Sequence, residues 1–137
     1  MAKDEAYRKA VEKIEEARRS GAKELDLKGS GPPGVPRLTE LLESLGQLTQ
    51  LQSLNLASNQ LTPPPESLGN ITQLQSLYLF KNKVTSLPIS LGALISLITL
   101  DIDGNGISEL PRTLLKLPQL TALYIGGKAR GNPLTAC

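Results

Sequence analysis

Three stretches of the chain repeat one phrase at a constant spacing: LQSLNLASNQL at 51–61, LQSLYLFKNKV at 74–84 and LITLDIDGNGI at 97–107. Self-similarity at a fixed period of this size is typical of a solenoid, in which each repeat buries its apolar face against its neighbours. The sequence therefore predicts a stack of similar coils, and it favours an extended binding surface over an enclosed active site.

The phrase also predicts where the strands lie. Its first, fourth and sixth positions are apolar and alternate with outward-facing residues, as a short β-strand requires. In the second phrase these positions are Leu74, Leu77 and Leu79. A weaker copy of the phrase precedes the three regular ones, and another follows them. The equivalent apolar residues are Ala22, Leu25 and Leu27 in the first copy and Leu120, Leu123 and Ile125 in the last. We therefore expect about five parallel strands on the concave face.

An Asn follows the last strand leucine or isoleucine of each phrase by three residues, at Asn59, Asn82 and Asn105. Stacked at equal height, such amides can bond to loop carbonyls of adjacent coils that have no other partner. A Pro then ends each turn, at Pro65, Pro88 and Pro111. The return along the convex side is expected to be a short helix or a 3₁₀ turn.

The first residues lie outside the repeat and have helical periodicity. Apolar side chains recur there at three- and four-residue steps: Tyr7, Ala10, Val11, Ile14 and Ala17. Because a solenoid exposes leucine at its ends, we expect residues 1–21 to form a capping helix and residues 22–137 to form the solenoid of one structural domain. The alternative is a helix on a membrane surface, which the alternation of Glu with Lys and Arg on its polar face disfavours.

The composition narrows the classes of function. The chain of 137 residues has 15 basic and 13 acidic side chains, evenly spread, so nucleic-acid binding is not expected. It has no His, the commonest general base and metal ligand, and we expect no cofactor. The single Cys, the absence of an apolar signal segment and the absence of a membrane-spanning run favour a cytoplasmic protein with no membrane contact.

The repeated phrases resemble those of bacterial leucine-rich repeat proteins of the LPxxLGxLxxLxxLxLxxNxL type. The stretch IEEARRSGAKELDL at 14–27, followed by LGQLTQLQSLNL, is similar to the start of cyanobacterial members, many of which continue into Roco-type GTPase modules. The resemblance implies an α/β fold, a short right-handed horseshoe, that recognises proteins and has no catalytic activity. No GxxxxGK[ST] motif occurs, so the resemblance extends to the recognition part only.

The concave face should present the residues between the strand leucines. Two outward positions per coil give Asp26 and Lys28, Asn55 and Ala57, Tyr78 and Phe80, Asp101 and Asp103, and Tyr124 and Gly126. The only Phe and two of the three Tyr fall on this surface, a composition typical of binding hot spots.

We expect this surface to bind a protein or peptide partner. In this hypothesis Tyr78, Phe80 and Tyr124 anchor the ligand, Lys81, Asp101 and Asp103 orient it, and Asn55 belongs to the same surface. The alternative is that the aromatic side chains pack laterally across the sheet.

Two insertions interrupt the period. The step from Ala22 to Leu51 is longer than the step from Leu51 to Leu74, with the excess in PPGVPR at 32–37, and KARG at 128–131 extends the last coil. Both should leave the loop that follows a strand, at the two ends of the concave sheet, where insertions often contribute to binding. The residues concerned are Pro32, Pro33, Val35, Arg37, Lys128 and Arg130. The alternative is that terminal coils tolerate insertions because fewer neighbours constrain them.

The run DIDGNG at 101–106 matches the opening of a calcium loop. The twelfth position of such a loop should be Glu, and here it is Arg112. The repeat also predicts that Ile102 is buried in a strand and that Asn105 belongs to the Asn stack. We therefore expect no metal there.

The C-terminal edge suggests a second function. Three residues follow Leu134, so Leu117, Leu120 and Leu123 are expected to lack a capping coil. An open leucine edge favours association, and a homodimer through this edge, which Cys137 could cross-link, is the alternative to concave-face recognition.

Overall fold

The computed structural model describes residues 5–29, 37–40 and 43–126. Within these ranges the chain begins with one helix and continues through strands that are all equally short. The helix is α1, Glu5–Ser20, and the strands are β1, Glu24–Asp26; β2, Ser53–Asn55; β3, Ser76–Tyr78; β4, Thr99–Asp101; and β5, Ala122–Tyr124.

The five strands form one parallel sheet in the order β1-β2-β3-β4-β5. From β2 onward each residue pairs with its counterpart in the next repeat, as Leu54 does with Leu77. Strand β1 pairs with β2 over a longer stretch of chain, Leu25 opposite Leu54, so the extra residues lie in the connection between these two strands. The expected five-stranded solenoid is confirmed.

The strand leucines form the core between the concave sheet and the convex side. Leu54, Leu77 and Leu100 pair in adjacent strands, and all three are fully buried. Burying one such side chain stabilises the fold by about 1.5–3 kcal/mol. Because every coil repeats the same inward positions, the core is a continuous column of side chains running through the stack.

The convex side consists of short 3₁₀ helices, as expected. Those described span Glu43–Gln47, Glu66–Asn70, Ile89–Ala93 and Arg112–Lys116. A Pro in extended conformation precedes the last three, at Pro65, Pro88 and Pro111.

Glycine allows these 3₁₀ helices to approach one another closely. A Cβ atom built on Gly69 would lie 2.5 Å from the carbonyl oxygen of Ser90 in the next coil, and one on Gly46 would lie 2.7 Å from that of Ser67. The Leu-Gly pair in the repeat therefore reflects a space that no side chain fits.

The three buried Asn side chains form the expected ladder. Asn82 donates from Nδ2 to the carbonyl oxygen of Leu56 in the preceding coil, at 2.9 Å, and to that of Leu79 in its own coil, at 3.0 Å. Its Oδ1 accepts a hydrogen bond from the backbone amide of Leu61. Asn59 and Asn105 make the equivalent bonds. Each amide therefore satisfies buried backbone groups in two coils.

Helix α1 packs against the first coil through Ala10, Ile14 and Ala17, which belong to the same buried cluster as the strand leucines. Val11, which shares the apolar periodicity of these residues, lies at the border of the stripe and is 41% exposed. Gly21 ends the helix with a positive φ of 67°, and the amide of Ala22 donates to the carbonyl oxygen of Ala17.

Charged groups on the outer side of α1 stay in solvent. The guanidinium of Arg18 bonds both carboxylate oxygens of Glu15, and this hydrogen bonding lowers the pKa of that carboxyl and raises the pKa of Arg18. The ammonium group of Lys13 reaches the carbonyl oxygen of Asp26, at 3.3 Å, and so connects α1 with the end of β1.

Candidate functional site

The last residues of β2 to β5 form one continuous row across the concave face. Asn55 pairs with Tyr78, Tyr78 with Asp101, and Asp101 with Tyr124. Neighbouring strands lie about 4.8 Å apart, so the two tyrosines are separated by about 10 Å with the Asp101 backbone between them. The parallel register therefore brings together residues that are one full repeat apart in sequence.

These side chains are accessible to different degrees. Tyr124 is 55% exposed, whereas Asn55, Tyr78 and Asp101 are half-buried. The row is thus a surface that is already partly desolvated by its own neighbours, and a ligand would complete its burial.

A second set of residues follows the strands and lies beside this row. Phe80, Lys81, Asp103 and Gly104 line a shallow pocket of about 370 Å³. Phe80 and Asp103 are half-buried, and Lys81 is exposed. The structure therefore places six of the seven predicted partner-binding residues around β3, β4 and β5, with Asn55 at the end of the row on β2.

Ala57 was expected to be exposed on this surface, and that expectation is wrong. Its side chain is fully buried. A methyl group is too short to reach solvent at a position where the following coil carries Phe80, whose carbonyl oxygen also accepts a hydrogen bond from the amide of Ser58. The alternation of inward and outward residues predicts the direction in which a side chain points. It does not predict how much of a short side chain is buried by its neighbours.

The backbone beneath the pocket is held by short-range bonds. The amide of Asp103 donates to Oδ1 of Asp101 at 3.1 Å, and the amide of Lys81 donates to the carbonyl oxygen of Asp103 at 2.9 Å. Lys81 has a left-handed backbone with φ of 59°, as does Ser58 in the preceding coil, and Gly104 in the next coil has φ of 71°. The turn after each strand is therefore tight, and it fixes the direction of the side chains at the site.

The residues that resemble a calcium loop do not form one. Asp101 ends strand β4, Ile102 is fully buried, and Oδ1 of Asn105 accepts a hydrogen bond from the amide of Val84 at 3.0 Å. Asn105 could turn toward an ion only by breaking the ladder. Within the part of the chain that the structure describes, no group of three or more metal-ligating side chains occurs.

Of the residues assigned to the two insertions, Arg37 alone lies within the described ranges. Its Nη1 donates to the carbonyl oxygen of Ser58 at 2.8 Å, directly beside the concave sheet. Sequence reasoning did not find this contact, because the length of an insertion does not specify where its last residue folds back. The others, Pro32, Pro33, Val35, Lys128 and Arg130, lie outside the described residues.

Strand β5 forms the last described edge of the sheet. Leu117 is buried, whereas Leu120, Leu123 and Ile125 are only partly buried. Leu134 and Cys137, on which the expected open edge and cross-link depend, lie outside the described residues. Among those that are described, no helix combines the length and the apolar character needed to cross a lipid bilayer.

Comparisons with known proteins identify the repeat. A family model described as a leucine-rich repeat region matches residues 64–135, just over half of the chain, and a model of the single leucine-rich repeat matches residues 50–71. No match is found among curated protein sequences.

Solved structures share the fold. A leucine-rich repeat protein of Leptospira interrogans is 33% identical over 74% of this chain, with a TM-score of 0.65. The PEPR1–AtPEP1 structure is 30% identical over 79%, with a TM-score of 0.67. The ectodomain of the receptor kinase GASSHO1/SCHENGEN3 from Arabidopsis thaliana, in complex with CASPARIAN STRIP INTEGRITY FACTOR 2, is 28% identical over 79%, with a TM-score of 0.64. The chain spans 30%, 16% and 13% of these three structures, respectively.

Proposed function

The chain belongs to the leucine-rich repeat proteins, and from this premise we propose that it is a recognition module whose concave face binds a protein or peptide partner. The contact surface consists of Tyr78, Phe80 and Tyr124 as anchors, with Lys81, Asp101 and Asp103 orienting the ligand and Asn55 at the border.

One observation carries this proposal: the parallel register joins Tyr78, Asp101 and Tyr124 into a row, with Phe80 and its pocket beside it. Aromatic residues are enriched in protein interfaces, and Tyr is among the residue types that contribute most to the binding energy. Lateral packing alone does not explain the arrangement, because Tyr124 stays 55% exposed and Asp101, not an apolar residue, separates the two rings.

A structural relative supports recognition of a partner. The GASSHO1/SCHENGEN3 ectodomain, with which this chain shares its fold, is in complex with CASPARIAN STRIP INTEGRITY FACTOR 2. By analogy, the present chain recognises a polypeptide. We further propose that it has no catalytic activity. The absence of His from the sequence and the openness of the concave sheet to water are consistent with this proposal.

The remaining assignments are part of the same proposal. Residues 1–21 act as the cap and residues 22–137 as the solenoid of one domain in a cytoplasmic bacterial protein. The stretch at 14–27 supports a relation to cyanobacterial proteins, including those with Roco-type GTPase modules. The two loop insertions, of which Arg37 contacts Ser58, extend the binding surface at its ends.

Selection from a library of short random peptides, displayed on phage and captured by the immobilised chain, tests the function. Binders selected on the wild type are then measured against a Tyr78→Ala/Phe80→Ala variant. We expect most of them to lose binding while circular dichroism and the unfolding midpoint show that the variant remains folded.

The matched control removes two exposed apolar side chains elsewhere. Ile95→Ala/Ile98→Ala changes the loop before β4, where both residues are exposed, and should leave binding intact. Binders that survive the concave variant and depend on the control pair would contradict the proposal.

Self-association through the β5 edge is a second candidate function. The partial burial of Leu120, Leu123 and Ile125 favours it, because a second copy could cover these side chains. Light scattering with and without reductant measures the mass in solution. A dimer that Leu123→Asp converts to a monomer supports this candidate, and a monomer at all concentrations contradicts it.

A further inference from the structure

Strand β1 forms the first edge of the described sheet, because it pairs with β2 on one side only. The amide of Leu27 donates to the carbonyl oxygen of Asn55 at 2.8 Å, and the carbonyl oxygen of Lys23 also accepts hydrogen bonds from the β2 side. Successive residues of a strand direct their backbone groups to opposite sides. The amides and carbonyl oxygens of Glu24 and Asp26 therefore point away from β2.

Part of this edge is open to a further strand. The carbonyl oxygen of Asp26 accepts a hydrogen bond from Nζ of Lys13, and its carboxylate accepts one from the amide of Lys28. Within the described ranges, no hydrogen bond is formed by the amide or carbonyl oxygen of Glu24 or by the amide of Asp26. Two backbone donors and one acceptor thus stand along the edge as a template for strand pairing.

A groove of about 310 Å³ runs beside this edge, between β1 and helix α1. Glu16 lines it from α1, and Glu24 and Asp26 line it from β1. The side chains of Ala17 and Leu25, both buried, belong to the same lining. An extended peptide can occupy a groove of this kind by adding a strand to the sheet, with main-chain hydrogen bonds supplying affinity and alternate side chains supplying specificity.

The charges around the groove favour a basic occupant. Three exposed carboxylates, those of Glu16, Glu24 and Asp26, accompany one ammonium group, that of Lys13, which is bonded to β1. Alternate residues of an added strand would lie opposite Glu24 and Asp26, so that basic side chains there form favourable cross-strand pairs. A second copy of β1 would instead bring the same two carboxylates against each other, which is unfavourable.

We propose that the β1 edge binds an extended basic segment of a partner protein as an additional strand. The inference goes beyond the proposed concave-face recognition, because main-chain groups at the edge and the groove beside α1 make the contact. The aromatic residues of β3 and β5 take no part in it.

The direct test titrates the full chain, labelled with ¹⁵N, with the peptide acetyl-Lys-Val-Lys-Val-Lys-amide, and with the corresponding Glu-Val peptide as the acidic control. Hydrogen exchange is followed at the amides of Glu24 and Asp26, which should exchange rapidly without peptide. At saturation the basic peptide should slow exchange at both amides at least about tenfold. The acidic peptide should leave it unchanged.

Substitutions test the charge pairing. Glu24→Gln/Asp26→Asn removes two carboxylates and keeps an oxygen that can accept the bond from the amide of Lys28. We expect it to weaken binding of the basic peptide about fivefold. Glu43→Gln/Glu109→Gln is the matched control, because it removes two exposed carboxylates outside the groove and should leave binding unchanged.

N-methylation of the peptide distinguishes strand pairing from charge attraction alone. With the lysine side chains over Glu24 and Asp26, the lysine amides face β1 in an antiparallel addition and the valine amides face it in a parallel one. Methylation of one set of amides should therefore abolish binding, whereas methylation of the other set should preserve it. Equal binding of the two methylated peptides would overturn the proposal.

Three further results would overturn it. Unchanged exchange at Glu24 and Asp26 with the basic peptide would show that no strand is added. Slow exchange at both amides without peptide would show that the edge is already occupied, by a second copy if light scattering gives a dimer and by the chain itself if it gives a monomer. Equal effects of the basic and acidic peptides would contradict the charge pairing.

The two recognition surfaces can fail separately. Peptide shifts confined to Tyr78 and Phe80 would overturn the edge site and leave concave-face recognition standing. Slowed exchange at Glu24 and Asp26, in a chain for which no library peptide depends on the concave face, would leave the edge site standing while the proposed concave-face function fails.

Discussion

The convex and concave sides of the coils share one repeat period, but one convex position keeps the same residue in successive coils and one concave position does not. On the convex side, Gly46, Gly69 and Gly92 repeat without change, and each lies so close to the next coil that a Cβ atom would clash. On the concave side, Asn55, Tyr78, Asp101 and Tyr124 occupy one repeat position and differ in size and charge. Identity at a repeat position here reflects close packing against the next coil, and variation occurs on the sheet face that is turned away from the core.

The fourth coil shows the limit of this comparison. Leu115 occupies the position of the three glycines and is 56% exposed. The requirement for glycine therefore comes from the coil that packs against it and not from the 3₁₀ helix itself.

The largest difference in unfolding free energy is expected between substitutions on the two faces of strand β3. Leu77→Ala removes a fully buried side chain and leaves a cavity in the column of leucines, which should cost about 4 kcal/mol of unfolding free energy. Tyr78→Ala, on the opposite face, should cost about 1 kcal/mol because that ring is only half-buried. Urea denaturation measures both, and equal losses would contradict the division of the strand into a core face and a binding face.

The Asn ladder should be nearly as sensitive. Asn82→Ala leaves the buried amide of Leu61 without its acceptor and removes the hydrogen bonds that Nδ2 donates to the carbonyl oxygens of Leu56 and Leu79, with an expected loss of about 3 kcal/mol. Asn70→Ala, at the exposed end of a 3₁₀ helix, should change the unfolding free energy by less than about 0.5 kcal/mol. Thermal unfolding monitored by circular dichroism compares the two, and similar midpoints would show that the ladder does not stabilise the stack.

The convex contact gives an intermediate effect. Gly69→Ala places a Cβ atom 2.5 Å from the carbonyl oxygen of Ser90 and should cost about 2 kcal/mol through displacement of the next coil. Leu115→Ala changes the same repeat position where no described coil follows, and should cost less than about 0.5 kcal/mol. If both variants unfold at the wild-type urea concentration, the close-approach explanation of the repeated glycines is wrong.

The smallest effect concerns the turn at the edge of the pocket. Lys81 has φ of 59°, a conformation that costs a residue with a Cβ atom more than it costs glycine. Lys81→Gly should therefore raise the unfolding free energy by about 0.5–1 kcal/mol. Gly104→Ala is the converse change at the equivalent position and should lower it by about 1 kcal/mol. Urea denaturation measures both variants, and the two changes in unfolding free energy should have opposite signs.

Much of the fold follows from the sequence because the repeated phrase shows which positions of successive coils are equivalent. The alternation in each phrase predicts the strands, and the spacing of Asn59, Asn82 and Asn105 predicts a ladder that the hydrogen bonds confirm. The burial of Ala57 and the exposure of Val11 were not predicted, since both depend on the size of neighbouring side chains and not on periodicity.

The site is predictable to a lesser degree. Counting along the chain by one repeat period is enough to align Tyr78, Asp101 and Tyr124. The contact of Arg37 with Ser58, by contrast, follows an insertion that breaks the period, and no pattern in the sequence specifies it. The left-handed turn at Lys81 was also missed, because Lys carries no signal for a positive φ.

The central claim is that recognition occurs on the concave face between β3 and β5. The most direct measurement is the chemical-shift map of the ¹⁵N-labelled chain with a library peptide that was selected on the wild type alone. We expect the largest shifts to cluster at Tyr78, Phe80, Asp101 and Tyr124. Shifts that cluster instead on the convex 3₁₀ helices or on α1 would contradict it.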